Sequence, residues 1–378
     1  MSDYIFCEDD LAVFCERAFF SKILAVDTEF LRERSYYPKL CLIQLAVPQE
    51  VAVVDPLRIK DLGALKELLA DERIVKIFHA CSQDLEVIQD ALDCVPKPVF
   101  DTQVGAAFLG MRQQVGYGCL VERFCGVHLP KAEALSDWSR RPLDEEQLSY
   151  AADDVRYLPN IYQQMTKQLV EEDRLGWVLP EMQAINDKVA VARDPQEAYL
   201  HLKRVNSLTR RQLAVAREAC AWREKTAASR NIPRKWVVSD EVIIECCRHV
   251  PRDVDRLRRI RGTEQLSVAD AGSLIAALNK GLSTSPSRYP HSKRREHLSA
   301  ETEGVLDLMY AMVRVMSEQT GIAAQLLATR EDLLDFLQGR QPCSLSEGWR
   351  SELLGSRLRR LLCGECGLTV KDGKIEVL

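Results

Sequence analysis

The hydrophobic pattern of this chain changes period once, near Asp144, and that switch constrains the fold more than any other feature. Before it, short apolar and β-branched runs alternate with helical stretches. Ile23 to Thr28, Leu40 to Val47 and Val51 to Asp55 read as strands, and Pro48-Gln49 between the last two predicts a hairpin. Leu62 to Leu69 has helical spacing, Ile74 to Phe78 is a fourth strand, Leu85 to Leu92 another helix and Val99-Phe100 a short buried strand. That order predicts a mixed α/β sheet with helices on its faces. After Asp144 the strand signal almost vanishes. Asp144 opens a helix with Leu148, Ala151 and Val155 on one face, and from Ser207 the pattern is helical, with Leu213, Ala216 and Cys220 on one stripe. Breaks at Asn231–Pro233, Pro251 and Gly262 predict a cluster of short helices rather than a rod. Ser283 to Ser299 has the Ser, Pro and basic composition of a linker. Helical patterning resumes at Thr302 to Met316 and continues to Leu362, with a length that suggests a weak internal duplication.

Composition narrows the class. The 378 residues exceed one ordinary core, so two or three domains are expected. Hydrophobic residues at 46% and charged residues at 28% exclude a largely disordered chain. No apolar run approaches the roughly 18 residues of a membrane span. The opening MSDYIFCEDD is acidic and does not read as a secretory signal. The 13 cysteines, an odd number without small-scaffold spacing, suit buried, reduced thiols in a cytoplasmic protein.

A net charge of −5 conceals a strong asymmetry. Residues 1–203 carry 22 Lys+Arg against 34 Asp+Glu, residues 204–298 carry 20 against 10, and residues 299–378 carry 9 against 12. An acidic first half and a basic middle suggest an acid-rich site and a separate surface for a polyanion, although a solvated helical module would have the same composition.

The acid-rich site has a candidate in Val26-Asp27-Thr28-Glu29-Phe30. Residues i and i+2 on a strand point to the same side, so Asp27 and Glu29 present two carboxylates together. Like charges held that close repel unless a cation lies between them, and oxygen-only donors suit Mg²⁺ or Mn²⁺. A strand end fraying into an acidic loop accounts for the pair equally well. Three later segments add to it. His79 to Leu85 places Asp84 at the start of a helix, just after a strand. Tyr150 and Asp154 share a helical face at i and i+4, whereas Asp153 points elsewhere. Between them Lys131 to Leu143 (KAEALSDWSRRPL) carries a Trp and paired arginines in a predicted loop, suited to a polyanionic substrate.

In this order, Asp27 and Glu29, then Asp84, then Tyr150 and Asp154 resemble the DEDD exonuclease superfamily, in the subtype with Tyr in the third motif. The likeness covers about residues 20–165. Within it, Lys131, Asp137-Trp138 and Arg141-Pro142-Leu143, with the helical C-terminal half, look most like bacterial ribonuclease D. Residues of about 205–283 resemble its HRDC module, a small helical nucleic-acid-binding domain, and about 299–378 a diverged second copy. The resemblance implies an α/β ribonuclease H-like exonuclease domain over residues 1–203, an HRDC-like domain over 204–283, a basic linker over 284–298 and a second all-α domain over 299–378. It implies a 3′→5′ exoribonuclease releasing nucleoside 5′-monophosphates from transfer-RNA precursors and other small structured RNAs with single-stranded 3′ ends. Two divalent ions, Mg²⁺ or Mn²⁺, would be held by Asp27, Glu29, Asp84 and Asp154, with Tyr150 orienting the attacking water. Lys131, Trp138, Arg141, Arg252, Arg256 and Arg259 are the expected RNA contacts. A cytoplasmic monomer with no membrane partner and no nucleotide cofactor is expected.

Other signals point less far. Cys363-Gly-Glu-Cys366 has no second pair to complete a zinc site, so a reduced structural pair is expected. Gly116-Tyr-Gly118 is a fragment of a dinucleotide fingerprint without its βαβ context, and Gly373-Lys374 lacks the earlier glycine of a phosphate loop. His79 reads as a packed strand residue outside the site. A DNA-directed exonuclease on the same fold and a non-catalytic RNA-binding scaffold remain as alternatives.

Overall fold

A computed structural model describes residues 3–130, 137–190, 194–290 and 298–378. Six strands, β1 (Asp3–Ile5), β2 (Ile23–Leu31), β3 (Lys39–Val47), β4 (Glu50–Val54), β5 (Val75–Phe78) and β6 (Val99–Asp101), form one sheet in the order β1-β4-β3-β2-β5-β6. The Pro48-Gln49 turn closes β3 and β4 into the expected antiparallel hairpin, with Val47 paired to Glu50. β1 runs parallel to β4, β5 to β2 and β6 to β5. Residues Leu40 to Ala46 are all buried, as a strand covered on both faces requires. The cover comes from helices α1 (Glu8–Ala18), α2 (Gly63–Ala70), α3 (Ser82–Leu92), α4 (Thr102–Phe108), α5 (Tyr117–Cys125), α6 (Glu145–Arg156), α7 (Leu158–Glu171) and α8 (Leu175–Ala190). At only three residues, β1 is too short to show a sequence period. Asp144 starts α6 as expected, through a capping box with Gln147.

Contacts divide the chain into two compact units. One comprises Met1–Glu29, Leu40–Ala190 and His297–Leu378, and the other Phe30–Lys39 and Val191–Glu296. In the first, the last helices share a core with the sheet domain: Phe100, Phe108, Met165 and Met182 lie in one cluster with Leu306, Met309, Met316 and Trp349. Trp349 stacks on Trp177 at 5.9 Å and meets the Phe108 ring edge-on at 5.1 Å. Its indole N–H and the Arg350 guanidinium both donate to Glu181. A Cβ on Gly110, which sits at φ +79°, would come within 2.7 Å of the Gly321 carbonyl, so that junction admits only glycine.

The helical half repeats its own path at an interval of 90 residues. In the second unit α9 (Arg210–Arg230) is capped by Thr209 and ends at left-handed Asn231, followed by α10 (Arg234–Val237), then α11 (Asp240–His249) capped by Ser239. A short helix α12 (Val254–Leu257) and α13 (Val268–Leu282) complete that bundle. In the first unit α14 (Ala300–Thr320) is capped by Ser299 and ends at left-handed Gly321, followed by α15 (Ala324–Leu327), then α16 (Arg330–Leu337) capped by Thr329. The caps repeat where the side chains between them have drifted, because a helix end needs a particular residue and its surface does not. Beyond Leu362 the chain forms a two-stranded hairpin, Leu368–Lys371 with Lys374–Val377, which helical patterning does not anticipate.

Candidate active site

Asp27 and Glu29 extend from the same side of β2, and neither is fully covered. Thr28 between them donates a 2.6 Å hydrogen bond to the Asp84 carboxylate, tying β2 to the first turn of α3. Asp84 is aimed by the turn before α3. Ala80 adopts φ +60°, and the backbone N–H groups of Ala80 and Cys81 donate to the two oxygens of buried Asp101 at 3.0 and 2.9 Å. Asp101 also caps α4 through Gln103 N–H. From α6, Tyr150 and Asp154 lie one turn apart on the same face, near enough for the phenol to favour the ionised carboxylate, as the i, i+4 spacing predicts. Asp153 faces away, paired with Arg156 at 2.6 Å. Tyr117 fixes α6 from the other side, its hydroxyl donating to the Asp153 carbonyl.

These carboxyl groups are held out of water and against one another. Burial pushes Asp27 well above the usual carboxylate range, and Asp84, Asp154 and Glu29 push it further. Burial, with Asp154 and Asp84, lifts Glu29 to about 8. Burial and Asp153 take Asp154 to about 7 even with the Tyr150 hydrogen bond opposing them. Asp84 stands at about 6, raised by burial and restrained by Thr28. The Tyr150 phenol is raised by burial and by the neighbouring carboxylates, so it stays protonated at neutral pH.

Among the described residues no three carboxylate, imidazole or thiol groups already converge closely enough to define an ion position, so the four act on one another through space rather than as a preformed cage. The donor set nevertheless fits a hard divalent cation. All four side chains offer oxygen only, and a cation is what would let four such groups ionise together.

The structure places the expected RNA contacts less uniformly. Trp138 is 8% exposed and stacks on Tyr150, with ring centroids 6.0 Å apart and an interplanar angle of 25°, which leaves little of the indole for a base. Arg141 has all five of its N–H donors occupied within the protein, which leaves none for a phosphate. Lys131 lies outside the described residues. In the second unit Arg252 and Arg256 line a cavity of about 630 Å³ together with Arg211, Arg248 and His249. Arg259 is exposed, whereas Arg258 donates to three carbonyls around Thr263 and is structural. His79 packs against Tyr117 and hydrogen-bonds Thr102. Asp101 and Tyr117 were not anticipated. Only the Asp-Thr-Gln cap pattern after the apolar Val99-Phe100 could have pointed to Asp101.

Comparison with known proteins gives this geometry its class. A 3′-5′ exonuclease family matches residues 3–170 and the HRDC domain matches residues 212–278. Ribonuclease D of Granulibacter bethesdensis is 38% identical over 97% of this chain and 93% of its own length. That of Jannaschia sp. is 36% identical over 98% and 97%. The crystal structure of Escherichia coli RNase D, described as an exoribonuclease involved in structured RNA processing, superimposes with a TM-score of 0.84 at 31% identity, covering 96% of this chain and 99% of that one. The catalytic core of RRP6 from Trypanosoma brucei shares the fold, with a TM-score of 0.56 at 24% identity over 74% and 79% of the two chains. A carboxylate set on β2, α3 and α6, with these relatives, defines a 3′→5′ exonuclease acting on RNA, of a superfamily that works with divalent metal ions. The chain belongs to the ribonuclease D family. Among the described residues no helix is long and apolar enough to cross a membrane.

Proposed function

We propose that the chain shortens transfer-RNA precursors and other small structured RNAs from single-stranded 3′ ends, one nucleoside 5′-monophosphate at a time, as a cytoplasmic monomer. The reading divides the chain into an exonuclease domain to residue 203, an HRDC-like domain over 204–283, a linker over 284–298 and a second HRDC-like domain from 299. Asp27, Glu29, Asp84 and Asp154 would hold two Mg²⁺ or Mn²⁺ ions. Asp27, whose carboxyl feels all three others, is the candidate to contact both. When bound, such ions supply Lewis-acid activation of water and neutralise charge on the phosphate. The work of Tyr150 is positional. Its hydroxyl lies beside Asp154, and its lone pairs can accept from the attacking water and fix its approach. Arg252, Arg256 and Arg259 supply phosphate contacts in the second unit, with a strong salt dependence.

The observation that carries this reading is the set of four oxygen-only side chains on β2, α3 and α6, all raised by burial, with Asp27 and Glu29 raised further by the carboxylates of Asp84 and Asp154. The test is a gel assay on 5′-labelled single-stranded RNA and its DNA counterpart, with Mg²⁺, Mn²⁺ or EDTA. A one-nucleotide ladder on RNA that EDTA abolishes is expected. Shortening of DNA alone would overturn the substrate assignment, and salt-sensitive binding without shortening would overturn catalysis.

A further inference from the structure

Arg141 and Asp55 lie 86 residues apart in the chain and form a closed unit in the fold. The guanidinium grips the carboxylate with both arms, Nε to Oδ2 at 2.5 Å and Nη2 to Oδ1 at 2.7 Å. Its remaining hydrogens go to the carbonyls of Cys41, Trp138 and Arg140 at 2.9, 2.8 and 2.6 Å. Asp55, with its side chain fully buried, also accepts from the Tyr4 hydroxyl at 2.6 Å and from Leu57 N–H at 3.1 Å. Tyr4 comes from the short strand β1, so that strand contributes a partner to the pair as well as an edge to the sheet. No donor on Arg141 is unused, and both Asp55 oxygens are filled.

This closed unit holds a particular piece of backbone. Arg141 bonds the carbonyl of Trp138, and the Trp138 ring lies against Tyr150. Tyr150 is 38% exposed, so its own helix alone does not confine the ring. A flat indole stacked along one face does, because it removes the torsional freedom that a half-exposed tyrosine keeps.

We propose that Asp55 and Arg141 are positioning residues for the reaction: by fixing the backbone at Trp138 they seat the indole on Tyr150 and hold the phenol beside Asp154. The proposal rests on Tyr150 orienting the attacking water. It replaces an RNA contact by Arg141 with a role exerted through Trp138 and Tyr150. Lysine at position 141 would keep the charge and lose the two-armed grip, since an ammonium has three donors and no planar fork.

The test uses the full chain with Mg²⁺ on a labelled single-stranded RNA, comparing kcat and KM for Arg141→Lys, Trp138→Ala, Trp138→Phe, Tyr150→Phe and the doubles with Tyr150→Phe. Arg141→Lys and Trp138→Ala should each lower kcat about tenfold with KM within about twofold. Trp138→Phe, which keeps a ring over Tyr150, should recover most of the loss. On a Tyr150→Phe background either change should cost less than about threefold more, because its target is already gone. Trp138→Ala leaves the ion pair intact, so it tests the proposal even if Arg141→Lys folds poorly. A KM rise at constant kcat would mean that these residues touch RNA, and would overturn the proposal. So would full multiplicative losses in the doubles or an unchanged kcat in the singles. If Tyr150→Phe alone leaves kcat untouched, the reading of Tyr150 fails and the proposal falls with it. A slow Tyr150→Phe with multiplicative doubles removes the positioning role alone.

Discussion

Two sets of buried acidic side chains in the first unit are treated in opposite ways. Asp55 is completely enclosed, yet its carboxyl lies below the usual range: burial works to raise it, and Arg141 and Tyr4 outweigh burial. Asp27, Glu29, Asp84 and Asp154 are enclosed to a lesser degree, and all four are raised. The difference is the supply of positive partners. Where the protein provides a guanidinium, the acid is architecture and is settled when the chain folds. Where acids face only each other and a few hydrogen-bond donors, the deficit has to be met from outside.

The largest consequence is catalytic. Asp84→Asn keeps the shape and a hydrogen-bond acceptor for Thr28 while removing one anionic donor. It should lower single-turnover cleavage by about 10³-fold or more, with RNA affinity little changed. Equal turnover at saturating Mg²⁺ would end the assignment of Asp84.

Stability should separate the two sets by sign. Asp55→Ala strands the Arg141 guanidinium in a largely buried position, and breaking a buried pair costs about 3–5 kcal/mol. Asp27→Asn removes a source of repulsion, and should stabilise the metal-free protein at pH 8. Urea unfolding in EDTA measures both. A destabilised Asp27→Asn would mean that the carboxylates are satisfied internally, and the contrast with Asp55 would collapse.

The pH dependence follows from the same groups. Unfolded carboxyls titrate near pH 4, and in the metal-free fold Asp84, Asp154 and Glu29 titrate at about 6, 7 and 8. Between those limits the folded chain holds protons that the unfolded chain has released, so stability must fall as pH rises, by up to about 1.4 kcal/mol per pH unit for each proton held. A bound divalent ion displaces the protons and removes the slope. The gap in melting temperature between Mg²⁺ and EDTA should therefore widen from pH 5.5 to pH 8.5. A gap independent of pH would show that the ion binds elsewhere.

What the sequence reveals of this design depends on range. Asp27 with Glu29 and Tyr150 with Asp154 are legible because their spacing, two on a strand and four on a helix, fixes their directions within one element. The sheet and the helical half are legible for the same reason, through their periods. The Asp55–Arg141 pair spans 86 residues, and no local rule joins them. An arginine in a predicted loop therefore reads as a contact for RNA, with no sign of the buried carboxylate it grips. Asp101 holds the turn at Ala80 and Cys81 from 20 residues away and is hidden in the same way. The strand Asp3–Ile5 and the hairpin after Leu362 escape because they are short and mixed in polarity, whereas the equally short Ile74 to Phe78 and Val99-Phe100 stand out as apolar runs.

The smallest effect concerns the arginines of the second unit, where the same contrast recurs in positive charge. Arg258 spends its guanidinium on the carbonyls of Thr263, Glu264 and Leu266, so Arg258→Ala should weaken the helical module without altering how its affinity responds to salt. Arg252 is exposed at the cavity, and among the described residues Arg256 is held there by a 3.5 Å contact with Asp253, mostly in solvent. A surface pair of that kind is worth little and yields readily to a phosphate. Arg252→Ala with Arg256→Ala should leave folding unchanged and weaken RNA binding several-fold. The slope of log affinity against log salt should become shallower by about one unit for each arginine that neutralises a phosphate. Titrations at several salt concentrations measure that slope directly. An unchanged slope would place the RNA on another face, because losing a cation that contacts phosphate must release fewer counterions on binding.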